Sequence, residues 1–235
     1  MNDGAALAGW TPPPLPPRSA LQGRYARLEP LEPAHAEALH EAFAEDAAGE
    51  MWRYMPVGPF RDRAAYRAWL DGARILHDPL HYAVRMQDGR LGGTLSLMRM
   101  QPAAGSIEVG WVTYAPRLQR SREATEAIHL LMRWVFEAGY RRFEWKCNAA
   151  NAASRRAAER FGFSYEGIFR QATVVKGRNR DTAWFAAIDA EWPALRSAYE
   201  AWLTPANFDA DGRQRQSLRS LTAPILVARD PTAAG

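Results

Sequence analysis

The spacing of apolar residues changes several times along the chain, and each change marks an element. Tyr25, Leu28 and Leu31 bracket Arg27 and Glu29, which predicts a first strand stopped at Pro30, and residues 33–44 read as a helix with proline in its first turn. Residues 51–60 are aromatic, proline-rich and irregular, as expected of a loop that lines a pocket, and a second helix follows over residues 61–76. Strands are predicted over 81–86, 91–100 and 106–114, with turn signals Asp88-Gly89 and Ala104-Gly105 between them, so the three form an antiparallel meander. In the third, Ile107, Val109 and Trp111 alternate with Glu108, Gly110 and Val112, which sets Glu108 on the face opposite the apolar set.

The period then lengthens. Ile128, Leu131, Met132, Val135 and Phe136 define an amphipathic helix ending near Gly139, and residues 141–148 return to strand, giving a β-α-β unit whose strands run parallel. Residues 151–160 form a short helix with Gly162 placed to end it. Strands over 165–174 and 182–188 are joined by the basic turn 176–180, and residues 191–203 make a last helix with Trp192, Leu195, Tyr199 and Trp202 on one side. Residues 1–22 carry Pro12, Pro13, Pro14, Pro16 and Pro17, an arm ordered only where Trp10 or Leu15 meets a surface. After Pro205 the pattern lapses until Leu221, Ile225, Leu226 and Val227, read as an accessory strand. The division expected is an arm (1–22), one domain (23–204) and an extension (205–235).

Composition narrows the classes. With 235 residues and 47% hydrophobic positions the chain can bury a sizeable core. One cysteine, Cys147, excludes an intramolecular disulfide, no leader pattern opens the chain and no apolar run reaches membrane-spanning length, so a cytoplasmic protein is expected. The net charge of +4 is spread along the chain, a weak pointer to anionic ligands without the basic block that nucleic acid would call for. His35, His40, His77, His81 and His129 fall in no metal-ligand spacing, and no metal is expected.

The chemistry centres on residues 116–127, where a strand leads into a helix. The turn from Arg120 to Ala124 presents unpaired N–H groups at a positive helix end, an arrangement suited to phosphate.

Four motifs set in this element order resemble one known family. They are Ile107-Glu108-Val109-Gly110, Ala124-Thr125-Glu126-Ala127, Asn151-Ala152-Ala153-Ser154, and Gly162-Phe163-Ser164-Tyr165-Glu166-Gly167 with Arg170. Together they resemble the GNAT (GCN5-related) acyltransferases, in particular the RimJ/RimL-like ribosomal-protein N-acetyltransferases, over about residues 23–190. The resemblance implies an α+β fold, an α/β/α sandwich on a mixed sheet of about seven strands, splayed between the fourth and fifth. It implies transfer of an acetyl group from acetyl-CoA to a primary amine, the pyrophosphate lying on the backbone from Arg120 through Ser121, Arg122 and Glu123 to Ala124, with Gln119 and Thr125 among the cofactor-binding residues. The family loop usually carries glycines where Arg120 and Arg122 stand here, and a tyrosine common in the short helix is replaced by Ala158. A homodimer, with the apolar tail as contact surface, is a further implication.

Acyl transfer from a thioester needs a base for the ammonium, a donor for the oxyanion and a proton for the thiolate. Glu108 is the candidate base, with a structural ion pair as its alternative; Asp181 is the reserve, with a pair to Arg170 or Arg178 as its own alternative. Ser154 is the candidate proton donor, unless it only bonds its own backbone. Amides at Val112 or Thr113 would meet the oxyanion, and Asn148 and Asn151 would bond the pantetheine, though Asn151 is equally a plain helix cap. Trp52, Arg53, Tyr54 and Phe60 read as either pocket or core. Cys147 is taken as a small buried residue rather than a nucleophile. A rival to the enzyme is an acyl-CoA-binding regulatory or interaction protein with little turnover.

Overall fold

A computed structural model describes residues 7–232. An eight-stranded sheet runs in the order β1-β2-β3-β4-β5-β6-β8-β7. Its strands are β1 (Leu21–Gln22), β2 (Ala26–Pro30), β3 (Leu80–Met86), β4 (Leu91–Gln101), β5 (Ser106–Tyr114), β6 (Arg142–Asn148), β7 (Ser164–Val175) and β8 (Arg178–Ile188). Every neighbouring pair is antiparallel except β5 and β6, which the crossover helix α3 (Arg122–Glu137) makes parallel. The two-residue β1 is the strand that periodicity could not show.

Helices cover both faces. Helices α1 (Ala36–Phe43) and α2 (Arg63–Ala73) enclose a smaller core with Leu31, Ala83 and Leu91. On the other side α3 buries Ile128, Leu131, Met132 and Val135 against Val84, Ile107 and Phe143, together with α5 (Trp192–Leu203). Helix α4 (Ala152–Arg160) adds Ala158 to the same core. Among the described residues no helix is long and apolar enough to cross a membrane.

The ladder between β5 and β6 is short. It holds four pairs, from Ser106↔Arg142 to Val109↔Trp145, and stops. Beyond that point β5 stays with β4 as far as Gly93↔Tyr114, and β6 stays with β8 as far as Asn148↔Thr182. The sheet therefore splits into a V with its apex at Val109 and Trp145. A bulge in β5 accompanies the split: Trp111 and Val112 together face Leu95, and Trp111 has φ +53°. The bulge also corrects the alternation read from sequence. Trp111 leaves the side of Ile107 and Val109 and packs instead against Trp69 and His81, 6.0 and 5.5 Å between ring centres.

Two further expectations are revised, and that for the arm is met at Trp10. The β7–β8 link is two residues, Lys176 and Gly177, with φ +49° and +72°, because Arg178 pairs with Val175 and the strand begins four residues before Thr182. In the arm, Trp10 donates to the Gly139 carbonyl at 3.3 Å and Pro14 accepts from Tyr140, whereas Leu15 stays exposed. The apolar tail makes no strand. Leu221 lies in a short helix, α6 (Leu218–Thr222), and packs with Ile225 on the same core, so part of the surface offered for a dimer is turned inward while Val227 stays exposed.

Two buried carboxylates fasten the ends of the chain to this frame. Glu126 of α3 accepts from the amides of Arg24, Tyr25 and Ala26 at 2.8, 2.6 and 2.7 Å, which locks the start of β2 to the helix. Asp230 takes the fork of Arg155 at 2.5 and 2.6 Å, and its own amide donates to Glu159. Burial alone would raise the Asp230 pKa, but the bonds from Arg155 and Thr232 together outweigh it and hold it below the usual carboxylate range. We expect Asp230→Ala to leave a buried guanidinium unpaired and to cost about 3 kcal/mol at neutral pH. Since the pKa is lowered on folding, the difference from the parent protein should be full above about pH 4 and shrink as the pH falls below it, read by urea unfolding.

Candidate active site

The V opens onto a cavity of about 1110 Å³ that runs from the start of α3 to the loop after α1. Its outer end is the turn between β5 and α3. There Leu118 is buried, the Gln119 side chain donates to the Tyr114 carbonyl at 2.8 Å, and Arg120 adopts φ +61°, the left-handed conformation that glycine takes without strain. The arginine keeps the backbone path that a glycine would allow. Ser121 caps α3 by accepting from the Ala124 amide at 3.0 Å. Among the described residues, no hydrogen bond is donated by the amides of Arg120, Arg122 or Glu123. These donors at a helix start make an anion site.

Aromatic rings and cations border that corner. The Arg122 guanidinium lies between the rings of Tyr25 and Phe208, at 4.8 and 5.0 Å from their centres. Arg160 donates to the Thr125 hydroxyl at 3.2 Å and stacks near Phe161 and Trp202. Burial lowers its pKa, and among the described residues it has no carboxylate partner. An uncompensated cation on the wall of an anion site is a favourable counter-charge for phosphate. Phe208, Gly212, Arg213 and Gln214 bring the extension onto the same wall, where the Trp202 indole donates to Gln214 at 2.8 Å.

The inner end lies between the two diverging strands. Val112, Thr113 and Tyr114 of β5 line it with Trp145 of β6, and from Gly110 onward β5 has no partner on the β6 side. That bare edge can accept an extended amide-bearing ligand as a strand. Asn151 caps α4 through Ser154 N at 3.1 Å, and the Ser154 hydroxyl accepts from the Trp145 indole at 3.0 Å. Its own proton remains available to donate. Burial raises the Cys147 pKa, which leaves a neutral thiol and agrees with a small buried residue. Ala158 is fully buried, so no hydroxyl replaces the missing tyrosine there.

Of the residues marked from sequence, Val112, Thr113, Gln119, Arg120, Ser121, Arg122, Glu123, Ala124, Thr125, Asn151 and Ser154 meet on this one cavity. Asn148 does not line it; its side chain caps the turn at Ala150 N, 2.9 Å away. Glu108 and Asp181 also lie off the lining. Glu108 is buried on the opposite face of β5, beside the apex of the V, and pairs with Arg99 at 2.7 Å and with Lys146 at 2.9 Å. Asp181 is half-buried, and its carboxylate accepts from the Gln171 amide and the Asn179 side chain. Its pKa is lowered chiefly by the Gln171 bond, then by Asn179. Trp52 and Phe60 belong to the smaller core, while Arg53 and Tyr54 reach the cavity. Arg160, Trp202 and Phe208 were missed, since no local motif reports that α4, α5 and the extension converge.

The comparisons with known proteins agree with this geometry. Residues 26–164 match the family model described as Acetyltransferase (GNAT) domain. A GCN5-related N-acetyltransferase from Brucella melitensis is 48% identical, with a TM-score of 0.90 over 92% of this chain and 100% of that one. A GNAT-family acetyltransferase structure from Chromobacterium violaceum is 44% identical, with a TM-score of 0.76 over 80% and 96%. At 23% identity and a TM-score of 0.60, over 71% and 96%, an acetyltransferase from Salmonella typhimurium that modifies the N-terminal serine of a ribosomal protein shares the fold. The search of curated proteins gives no match. With the split ladder, the capped helix start and the family model all falling on the same stretch, the chain belongs to the GNAT acetyltransferase family.

Proposed function

We propose that this acetyltransferase moves an acetyl group from acetyl-CoA to a primary amine by direct attack of the amine nitrogen on the thioester carbonyl. The observation that carries the reading is the parting of β5 and β6 opposite the unoccupied amides of Arg120, Arg122 and Glu123. In this reading the pyrophosphate rests on those amides, the pantetheine lies along the bare edge of β5, and the thioester reaches Ser154. The bulge at Trp111 turns the amide of Val112 or Thr113 toward the developing oxyanion. As the carbon–sulfur bond breaks, the attacking nitrogen gives its second proton to water, and the Ser154 hydroxyl supplies a proton to the thiolate and is resupplied by solvent.

The ammonium must lose its proton first. Glu108 beside the apex takes this proton through water, because Arg99 and Lys146 occupy its direct contacts. The Asp181 carboxylate, already engaged by Gln171 and Asn179, is the reserve. One observation favours the second reading, a CoA-binding regulatory protein: Ala158 leaves the short helix without the usual acid.

Thiol release from acetyl-CoA across a panel of amines tests the reading. Glu108→Gln should lower kcat/KM about 100-fold while acetyl-CoA affinity holds, and Ser154→Ala should lower kcat about 10-fold. CoA binding without thiol release on any amine favours the regulatory reading, and absence of CoA binding removes both.

The loop can be tested separately. Arg120→Gly keeps the N–H and relieves a left-handed residue, so it should raise stability by about 1 kcal/mol and leave CoA affinity within about threefold. Arg122→Ala removes a stacked cation and should weaken CoA about tenfold at low salt, less at high salt, by calorimetry.

A further inference from the structure

The face of the sheet opposite α3 carries a knot of charge beside the apex of the V. Glu108 is met by Arg99 and Lys146, and Lys146 also reaches Glu144 at 2.6 Å. These four groups compensate one another. Arg180 on β8 does not join them: it has neither ion pair nor side-chain hydrogen bond among the described residues, and its Nε is buried without an acceptor. Burial lowers the Arg180 pKa, opposed by Cys147 and then Glu108. Trp184 shares its face by strand alternation, opposite Lys146 in the β6 register, and the Lys146 ammonium sits 3.8 Å from its ring centre. The Trp184 indole N–H is likewise buried with no acceptor.

Buried donors without acceptors are rare because each loses its water and gains nothing. Two on one face, one of them carried by an arginine that has no ion pair among the described residues, are donors that an anionic oxygen group would satisfy. The face is also partly enclosed. Lys176 at the β7–β8 turn donates to the carbonyls of Trp52 and Gly58 at 3.1 and 2.7 Å, tying the hairpin to the loop between α1 and α2. The cavity runs through the V from the start of α3 to the loop between α1 and α2, so an amine attacking a thioester at the apex would approach from this opposite face. An arginine edge and an indole N–H supply a few planar donors, which suits a carboxylate better than a phosphate with its larger demand for donors.

We propose that Arg180 and Trp184 hold a carboxylate of the acceptor, so that the preferred amine carries an anionic group a few bonds from its nitrogen. This rests on the reading of the V as the acetyl-transfer site. The test uses product-like probes, so that it does not depend on turnover: N-acetyl-L-alanine and its N-methylamide, titrated by calorimetry onto the full chain with CoA present. The acid should bind about tenfold tighter than the amide. Arg180→Gln and Trp184→Phe should each remove most of that preference while leaving CoA affinity and the melting curve unchanged. A third probe, the α-methylamide of N-acetyl-L-aspartic acid, separates sources. Tighter binding of it than of N-acetyl-L-alanine would support an acidic side chain near a peptide N-terminus, and the reverse would support a free amino acid. Equal binding of acid and amide, absence of binding by any of the acids, or a preference that survives Arg180→Gln would overturn the proposal. Failure of acetyl transfer itself would show instead as no thiol release with any amine.

Discussion

The parting of β5 from β6 is the constraint on which the other features depend. Parallel strands reach each other only through a crossover, and here the crossover helix starts at the open end of the pair. The two strands are held by their outer neighbours, β4 and β8, along lengths where they no longer hold each other. Backbone groups that a closed sheet would consume are thereby left for a ligand, and the same divergence aims the positive end of α3 into the gap. A cavity and its anion corner follow from one broken ladder.

Keeping that gap open requires stiffness around it. Glu126 ties α3 to the start of β2 through three amides, and the Arg155–Asp230 pair ties α4 to the end of the chain. Both helices that flank the V are thus anchored at distant points of the sequence. The extension serves the site as well as the fold, since Phe208 holds one side of the Arg122 guanidinium and Gln214 is fixed by Trp202.

Sequence period was sufficient where one element buries one stripe. Strand β5 was read at its true limits and α3 within two residues of its end, because Ile128, Leu131, Met132 and Val135 leave little choice of face. It failed where geometry breaks the period. The bulge at Trp111 is invisible in an alternating run, and it moves a tryptophan to the other side of the sheet. The tail failed for a different reason: four apolar residues cannot say whether they pair as a strand or cap a core, and Leu221 and Ile225 show the second. Within the site, local motifs located the cap Ser121 and the pair Asn151 and Ser154. Arg160, Trp202 and Phe208 depend on packing between remote segments and left no local mark.

The two arginines at the loop show how a motif can change while its physics persists. Glycine is useful there because it adopts positive φ freely and lets a phosphate approach the backbone. Arg120 accepts φ +61° at a strain cost of order 1–2 kcal/mol, which the packed turn around Leu118 sustains. Arg122 sits at the first position of α3, where its φ is ordinary and its side chain is drawn aside between two rings. Neither side chain therefore removes the N–H groups from the corner, and each adds positive charge near it. Glycine is one way to expose a nest of amides; a strained arginine followed by a stacked one is another, with stability spent on the first and packing gained by the second.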